Sequence, residues 1–344
     1  MKSSKKSILL LVDPPIPIPP ATYGGIERVV HLLAEGLKKK GYAVTLFCHP
    51  ESTCDVNRKG YHALGNDMRS QLRNFGSIYS HLVLNRYDLI QSFANPDFLL
   101  PLWPLGMPVI QSFQSFPYWP SFLKRVRAVP RKNVHFTVCG HHMVKSFEEI
   151  APTKAIHNGV NIMQYDFQPE VQPDAPFVFL GRLTPIKGAH TAIRIARRTG
   201  RKLVIAGNIP EQESARAYFQ KEIEPELDDR IMFVGPVDDT QKNFLLGTAA
   251  ALLMPIEWDE PFGIVMAEAL ACGTPVIGFS RGSVPEIVRQ GITGACCDSE
   301  EMMVEAARQV DSFNRQACRA DAETRFDFDK LTEDYIELYD LIHS

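Results

Sequence analysis

Apolar positions along the chain follow two rhythms. Short runs recur at Ile8 to Val12, Ala43 to Cys48, Asp88 to Ser92, Pro108 to Ser112, Phe177 to Leu180, Leu203 to Ala206, Ile231 to Val234, Ala251 to Met254 and Pro275 to Phe279. Runs this short, bounded by turn residues, read as strands buried on both faces. Between most of them lie amphipathic stretches of ten to twenty residues, such as Glu27 to Lys40 and His190 to Thr199, whose apolar positions recur at helical spacing. Strand and helix in alternation predict an α/β protein with parallel sheets covered by helices on both faces.

The alternation lapses at residues 168–177, QPEVQPDAPF, where three prolines interrupt any period. That stretch reads as a linker. It predicts two doubly wound domains, residues 1–165 and 166–327, each binding at the carboxyl ends of its strands, with a cleft between them as the natural active site. In the tail, 328–344, Leu331, Tyr335, Leu338, Tyr339 and Ile342 form one stripe. The tail is therefore an amphipathic helix that packs on something, and a return to the first domain is one solution.

Composition agrees with two folded domains: of 344 residues, 45% are apolar and 22% charged. A formal charge of −3 supplies no basic field for nucleic acid. Seven scattered cysteines form no C-x-x-C pair, which points to neither a zinc site nor a disulfide framework and fits a reducing cytosol. The apolar run Ile8 to Val12 ends at Asp13 after five residues, too short for a signal sequence or a membrane span.

Three stretches carry chemistry. In EPFGIVMAEALACGTPVIG, residues 260–278, Pro261 and Gly263 break the chain before a mostly apolar helix, Ile264 to Cys272, capped by Gly273. The helix mouth offers free N–H groups and the positive end of the dipole to an anion. Glu260 lies in the loop and Glu268 in the helix, where a carboxylate accepts well from ribose hydroxyls. Glu260 as a surface acid and Glu268 as a first-turn acid are the plainer readings, yet a carboxylate on so apolar a helix needs a polar partner. In FLGRLTPIKGAHTAI, residues 179–193, Gly181 turns the chain and Arg182 and Lys187 flank a strand-to-helix loop, which suits a diphosphate. In PPATYGGIERVV, residues 19–30, Gly24 and Gly25 let backbone approach a ligand, or simply form a tight turn.

With these stretches in view the chain resembles the retaining, nucleotide-sugar-dependent glycosyltransferases of family 4, which have the two-Rossmann GT-B fold. The likeness runs from YGGIERVV through HNGVN (157–161), GRLTPIKG, LVIAG (203–207), IMFVGPV (231–237) and EPFGIVMAEALACGTPVI to GSVPEIV and GITG (282–294). EPFGIVMAE carries that family's E-x7-E pattern, downstream of G-R-L-x-x-x-K-G. The resemblance implies that Glu260 holds hydroxyls of the donor sugar, Glu268 holds the ribose, and Arg182 and Lys187 neutralise the departing diphosphate. It further implies donor contacts from Gly181, Phe262 and the backbone N–H groups of Gly263 and Ile264, with Gly24 and Gly25 closing over the diphosphate. The implied donor is a UDP-sugar. The implied acceptor is a hydroxyl of a glycan, a lipid-linked saccharide or a natural-product precursor, attacked with retention and without a metal.

Where the family has a histidine beside the donor sugar, this chain has Gln114, which hydrogen-bonds but does not titrate near neutral pH. Asp327-Phe328-Asp329 matches the metal-binding D-x-D of other transferases but sits at the entry to the tail helix, so it reads as helix-start chemistry. The His141-His142 pair lacks zinc-ligand spacing. Residues 112–132 place Phe113, Phe116, Tyr118, Trp119 and Phe122 before Lys124, Arg125, Arg127, Arg131 and Lys132. That order suits packing, an acceptor wall, or peripheral contact with an anionic membrane at its inner face. Competing functions on the same architecture are a sugar-nucleotide epimerase and a glycoside phosphorylase; a solute-binding module is disfavoured by the Arg182 and Lys187 pair.

Overall fold

The computed structural model describes residues 6–20, 24–65, 67–96, 100–117 and 119–344. Packing divides the chain into two units, Met1–Gly159 with Phe328–Ser344, and Val160–Asp327. The proline-rich stretch 168–177, expected to link the domains, is irregular but lies inside the second unit.

The first unit contains β1 (Ser7–Leu11), α1 (Gly25–Lys39), β2 (Ala43–Cys48), β3 (Asn57–Gly60), α2 (Met68–Leu84), β4 (Leu89–Ser92), β5 (Val109–Phe113), α3 (Trp119–Arg127), β6 (Val134–Val138), α4 (His141–Phe147) and β7 (Thr153–Ala155). Its sheet has the order β3-β2-β1-β4-β5-β6-β7, and every pairing is parallel. The second unit contains β8 (Phe177–Leu180), α5 (Ala189–Thr199), β9 (Leu203–Ala206), α6 (Glu213–Tyr218), β10 (Ile231–Gly235), α7 (Asp239–Thr248), β11 (Ala251–Met254), α8 (Ile264–Ala271), β12 (Val276–Phe279), α9 (Val284–Ile287), β13 (Gly294–Cys297), α10 (Glu300–Arg308) and α11 (Arg315–Arg325). Its sheet, β10-β9-β8-β11-β12-β13, is also parallel throughout. Both orders reverse direction once, between β1 and β4 and between β8 and β11. A doubly wound sheet binds ligands at the carboxyl ends of the two strands flanking that reversal.

The apolar runs mark the central strands because those are buried on both faces; β1, β4, β9 and β11 are buried almost throughout. Four strands escape that signal. β3 is an exposed Asn-Arg-Lys-Gly edge, whose charges also discourage pairing with another chain. β7 has three residues and partial burial, β13 begins at a glycine, and β6 interrupts its apolar run with His135 and Thr137.

The tail forms α12 (Phe328–His343), which belongs to the first unit and packs on α1. Leu331, Tyr335, Leu338 and Tyr339 are buried, while Ile342 is half-buried. The tyrosines end on a buried polar ladder across the sheet. Gln91 Nε2 donates to Ser112 Oγ at 2.9 Å, and Thr137 Oγ1 donates to the same oxygen at 2.8 Å. Tyr339 donates to Gln91 Oε1, and Tyr335 OH lies 3.4 Å from Ser112 Oγ and 3.3 Å from Thr137 Oγ1. Each such bond contributes about 1 kcal/mol net, and more is lost if a partner is stranded in the core. Asp329, in the first turn of α12, pairs with Lys39 at 3.0 Å, which is a helix-start role for the Asp327-Phe328-Asp329 stretch.

Candidate functional site

The loops after β8 and β11 meet at the reversal of the second sheet. Lys187 ends a short 3-10 turn, Pro185–Lys187, closed by Gly188 at φ +78°. A Cβ on Gly188 would stand 1.9 Å from the Pro255 carbonyl oxygen, so only glycine permits this approach. The Glu257 N–H donates to the Ile186 carbonyl at 2.8 Å and joins the two loops beside it. Gly263, at φ +71°, is the N-cap of α8 and places no side chain over the first N–H groups of the helix. Ser283 clasps the same loop: its N–H donates to the Glu260 carbonyl at 2.9 Å and its Oγ to the Phe262 carbonyl at 2.7 Å.

This backbone presents two carboxylates held in the same manner. Lys187 Nζ lies 2.5 Å from Glu260 Oε2, Trp258 Nε1 donates to that same oxygen at 2.8 Å, and the ammonium sits 4.9 Å from the indole centroid. Lys242 Nζ lies 2.6 Å from Glu268 Oε1, Tyr165 OH donates to that same oxygen at 2.7 Å, and the ammonium sits 5.7 Å from the phenol centroid. Both lysines are largely buried, and the Glu268 side chain is only 4% exposed. A buried carboxylate is tolerable only when paired and hydrogen-bonded, and both conditions are met. Among the described residues no hydrogen bond reaches Glu260 Oε1 or Glu268 Oε2, so each carboxylate keeps one oxygen for a further donor.

The sequence leads to Glu260, Lys187, Gly181, Gly263 and the α8 N-terminus at one place: a small cavity of about 40 Å³ is lined by Gly181, Lys187, Glu260, Gly263 and Val265 together with apolar side chains. Arg182 is exposed at the end of β8 and does not line it. Glu268 is the fifth residue of α8 rather than a first-turn acid. The Phe262 ring is core, 5.9 Å from Phe326, and its carbonyl accepts from Ser283 Oγ, so its side chain does not face the cavity. Lys242, Tyr165 and Trp258 escape sequence reasoning. Lys242 is a polar residue near the start of α7, behind an Asp238–Gln241 capping box, and only tertiary packing turns it toward α8. Trp258 carries one local signal, its place two residues before Glu260.

At the reversal of the first sheet lies a cavity of about 490 Å³, lined among others by Asp13, Asn95, Gln111, Gln114, Ser115 and Arg125. Gln111 donates to the Ala94 carbonyl at 2.9 Å, but its buried Oε1 has no partner among the described residues. Gln114 Oε1 accepts from Asn158 Nδ2 at 2.7 Å, which leaves the Gln114 amide nitrogen as a donor. Burial pushes the Asp13 carboxyl above its ordinary range, and the N–H of Asn95 offsets part of that. Burial also raises Glu27, whose own backbone N–H opposes the shift and to which the Asp13 charge adds. A Cβ on Gly24 would stand 2.9 Å from Glu27 Oε2. The Gly24-Gly25 turn, expected to close over a diphosphate, thus stands beside carboxyls that repel an anion when ionised.

The aromatics of 112–132 are packed together. Phe113, Phe122, Phe136 and Phe147 are buried, Phe113 lies 4.5 Å from Phe147, and Trp119 lies 4.8 Å from it; Tyr118 falls outside the described residues. Membrane contact there would have no exposed aromatic to insert among the described residues: Phe116 and Trp119 are half-buried, while Lys124, Arg125, Arg127 and Lys132 face outward.

The family model described as glycosyl transferases group 1 matches residues 164–325, and that of glycosyltransferase family 4 matches residues 23–164. Glycogen synthase of Mycobacterium tuberculosis (strain CDC 1551 / Oshkosh) is 27% identical over 379 aligned residues, covering 92% of this chain and 89% of that protein. Sucrose-phosphate synthase from Thermosynechococcus elongatus superposes with a TM-score of 0.79 at 19% identity, covering 98% of this chain and 99% of the other. Anabaena HepE in complex with UDP-glucose gives 0.73 at 18% identity, covering 96% and 98%. The fold is GT-B.

Proposed function

We propose, for a chain that belongs to the group 1 glycosyltransferases, that it moves a sugar from a nucleoside-diphosphate donor, a UDP-sugar, to an acceptor hydroxyl with retention of anomeric configuration. The observation that carries this reading is the paired arrangement of Glu260 and Glu268, each fixed through one oxygen by a buried lysine and an aromatic donor. Glu260 Oε1 then accepts from a sugar hydroxyl and Glu268 Oε2 from the ribose. Departure of the diphosphate develops negative charge, and Lys187, Arg182 and the open N-terminus of α8 supply fixed positive charge for it, worth several kcal/mol in a dry site. Those groups provide what a metal supplies in other transferases, so turnover is expected to survive a chelator.

The acceptor hydroxyl attacks from the face the diphosphate leaves and passes its proton to the departing phosphate oxygen. No covalent sugar adduct forms. In the first unit, Asp13 and Gln111 offer acceptors suited to a carbohydrate or lipid-linked acceptor, the Gln114 amide nitrogen stays assigned to the donor sugar, and Gly24 and Gly25 stay assigned to backbone contacts. HepE binds UDP-glucose; for this chain the uridine base is part of the proposal.

Thermal shift with UDP, GDP, ADP and dTDP tests the donor. A nucleotide at 100 times its Kd stabilises by about 2.7 kcal/mol, and no response to any of the four would end the proposal. Proton NMR of the product tests retention, where an inverted anomer would overturn it. An epimerised nucleotide sugar formed without acceptor would instead favour the epimerase.

A further inference from the structure

α2 is attached to its unit by little: Asn74 and Ile78 are its only buried side chains. Met68, Leu72, Phe75, Tyr79, Leu82 and Val83 all fall within about 100° of its circumference at 100° per residue, a continuous apolar stripe. Phe75 and Leu82 are half-buried, and the other four residues of the stripe face water. Met68 is 77% exposed, Leu72 64%, Tyr79 46% and Val83 68%, with Leu84 beyond them at 84%. Phe75 and Tyr79 stack on one another along the stripe, centroids 6.2 Å apart. An exposed apolar face of this length on a soluble domain marks an interaction surface.

The charges around the stripe decide what covers it. Arg69 and Arg73 lie along one border of the stripe, and Arg86 follows its end. Arg58 and Lys59 stand exposed on the neighbouring edge strand β3. Lys59 is close enough to add to the burial that lowers the His81 imidazole on α2. Across residues 56–87 these five cations face one acid, Asp67, which caps the helix, in a chain whose formal charge is −3. The 4-3-4-3 spacing from Met68 to Leu82 would also suit a second copy of α2, but two copies would bring Arg69 and Arg73 together with no acid within the helix to answer them.

We propose that α2 is a peripheral docking helix for an anionic bilayer surface, its stripe entering the headgroup boundary while Arg69, Arg73 and Arg86 meet lipid phosphates. Such helices lie in the interface plane with the apolar face about 5–10 Å deep, and each basic residue near an anionic surface strengthens binding by about fivefold. The inference goes beyond the proposed reaction, and its readout needs neither donor nor acceptor.

The test is co-sedimentation of the full chain with vesicles of phosphatidylcholine alone and of phosphatidylcholine mixed with phosphatidylglycerol. Binding to the mixed vesicles is expected to be at least about tenfold tighter and to fall with salt. The double variant Arg69→Ser/Arg73→Ser should lose about 25-fold, and Leu72→Asp/Val83→Asp should lose binding altogether. Both variants change exposed side chains, so an unchanged melting temperature verifies that they fold. Equal binding to both vesicles, or unaltered binding by the Leu72→Asp/Val83→Asp variant, overturns the proposal. So does a dimer in sedimentation velocity that Leu72→Asp/Val83→Asp dissociates, which would assign the stripe to a second copy.

Discussion

The reversal points of the two sheets solve opposite problems with the same residue types. In the second unit every carboxylate of the site has a lysine: Glu260 has Lys187 and Glu268 has Lys242, and the cavity between the loops is about 40 Å³. In the first unit Asp13 and Glu27 have no ion-pair partner among the described residues, both are pushed toward their neutral forms, and the adjoining cavity is about 490 Å³. A preordered cluster of paired charges suits a ligand whose charge is fixed and whose departure must be stabilised at once. A roomy cavity with unpaired acceptors suits a ligand rich in hydroxyls. Under the proposed function, the first arrangement suits the donor with its departing diphosphate and the second suits the hydroxyl acceptor.

The largest effect should come from the staple that preorders the second edge. Gly188→Ala forces a Cβ onto the Pro255 carbonyl and is expected to cost about 4 kcal/mol or more, lowering the melting temperature by at least about 8 °C. A milder loss would mean that the two loops are not rigidly joined. Next, Lys187→Ala should lower kcat by about 10²- to 10³-fold, and steady-state kinetics showing full turnover would remove the lysine from leaving-group stabilisation. Glu268→Ala is a poor probe, because it strands buried Lys242 and threatens the fold by about 3–5 kcal/mol. Glu268→Gln keeps the shape, and calorimetry should show about tenfold weaker binding of free nucleotide; equal affinity would take the ribose away from this residue.

The smallest expected effect belongs to the first edge. A carboxyl whose pKa is raised by burial favours folding while protonated, so that contribution is complete below the ordinary value of 3.8 and disappears as pH rises through the folded value. Asp13→Asn should flatten the dependence of melting temperature on pH just above that value and raise stability at neutral pH. Melting curves that keep the wild-type slope would show that Asp13 is not the buried acid described here.

What the sequence makes legible follows burial. Strands buried on both faces, such as Leu203–Ala206 and Ala251–Met254, stand out as apolar runs at their observed bounds, whereas the exposed β3 has no apolar residue to show. The site divides the same way. Glu260, Lys187 and Gly263 sit in loops whose breaks announce themselves, and the demand that something polar meet Glu268 follows from the apolarity of its helix alone. Which residues meet it does not. Lys242 and Tyr165 arrive from segments 26 and 103 positions away, so their role exists only once α7 and the 160–165 segment have packed on α8. The stripe on α2 has the spacing of a helix that packs inward, and only its exposure in the structure shows otherwise.

The tail helix imposes an order on biosynthesis. Tyr335 and Tyr339 complete the hydrogen bonds of Gln91, Ser112 and Thr137, yet these tyrosines are translated after the whole of Val160–Asp327. Nascent chains ordinarily finish their amino-terminal domain first. Here α12 must emerge from the ribosome before the opening unit can close its core, and Val160–Asp327 emerges ahead of it, so nothing in sequence order keeps the second unit from folding first.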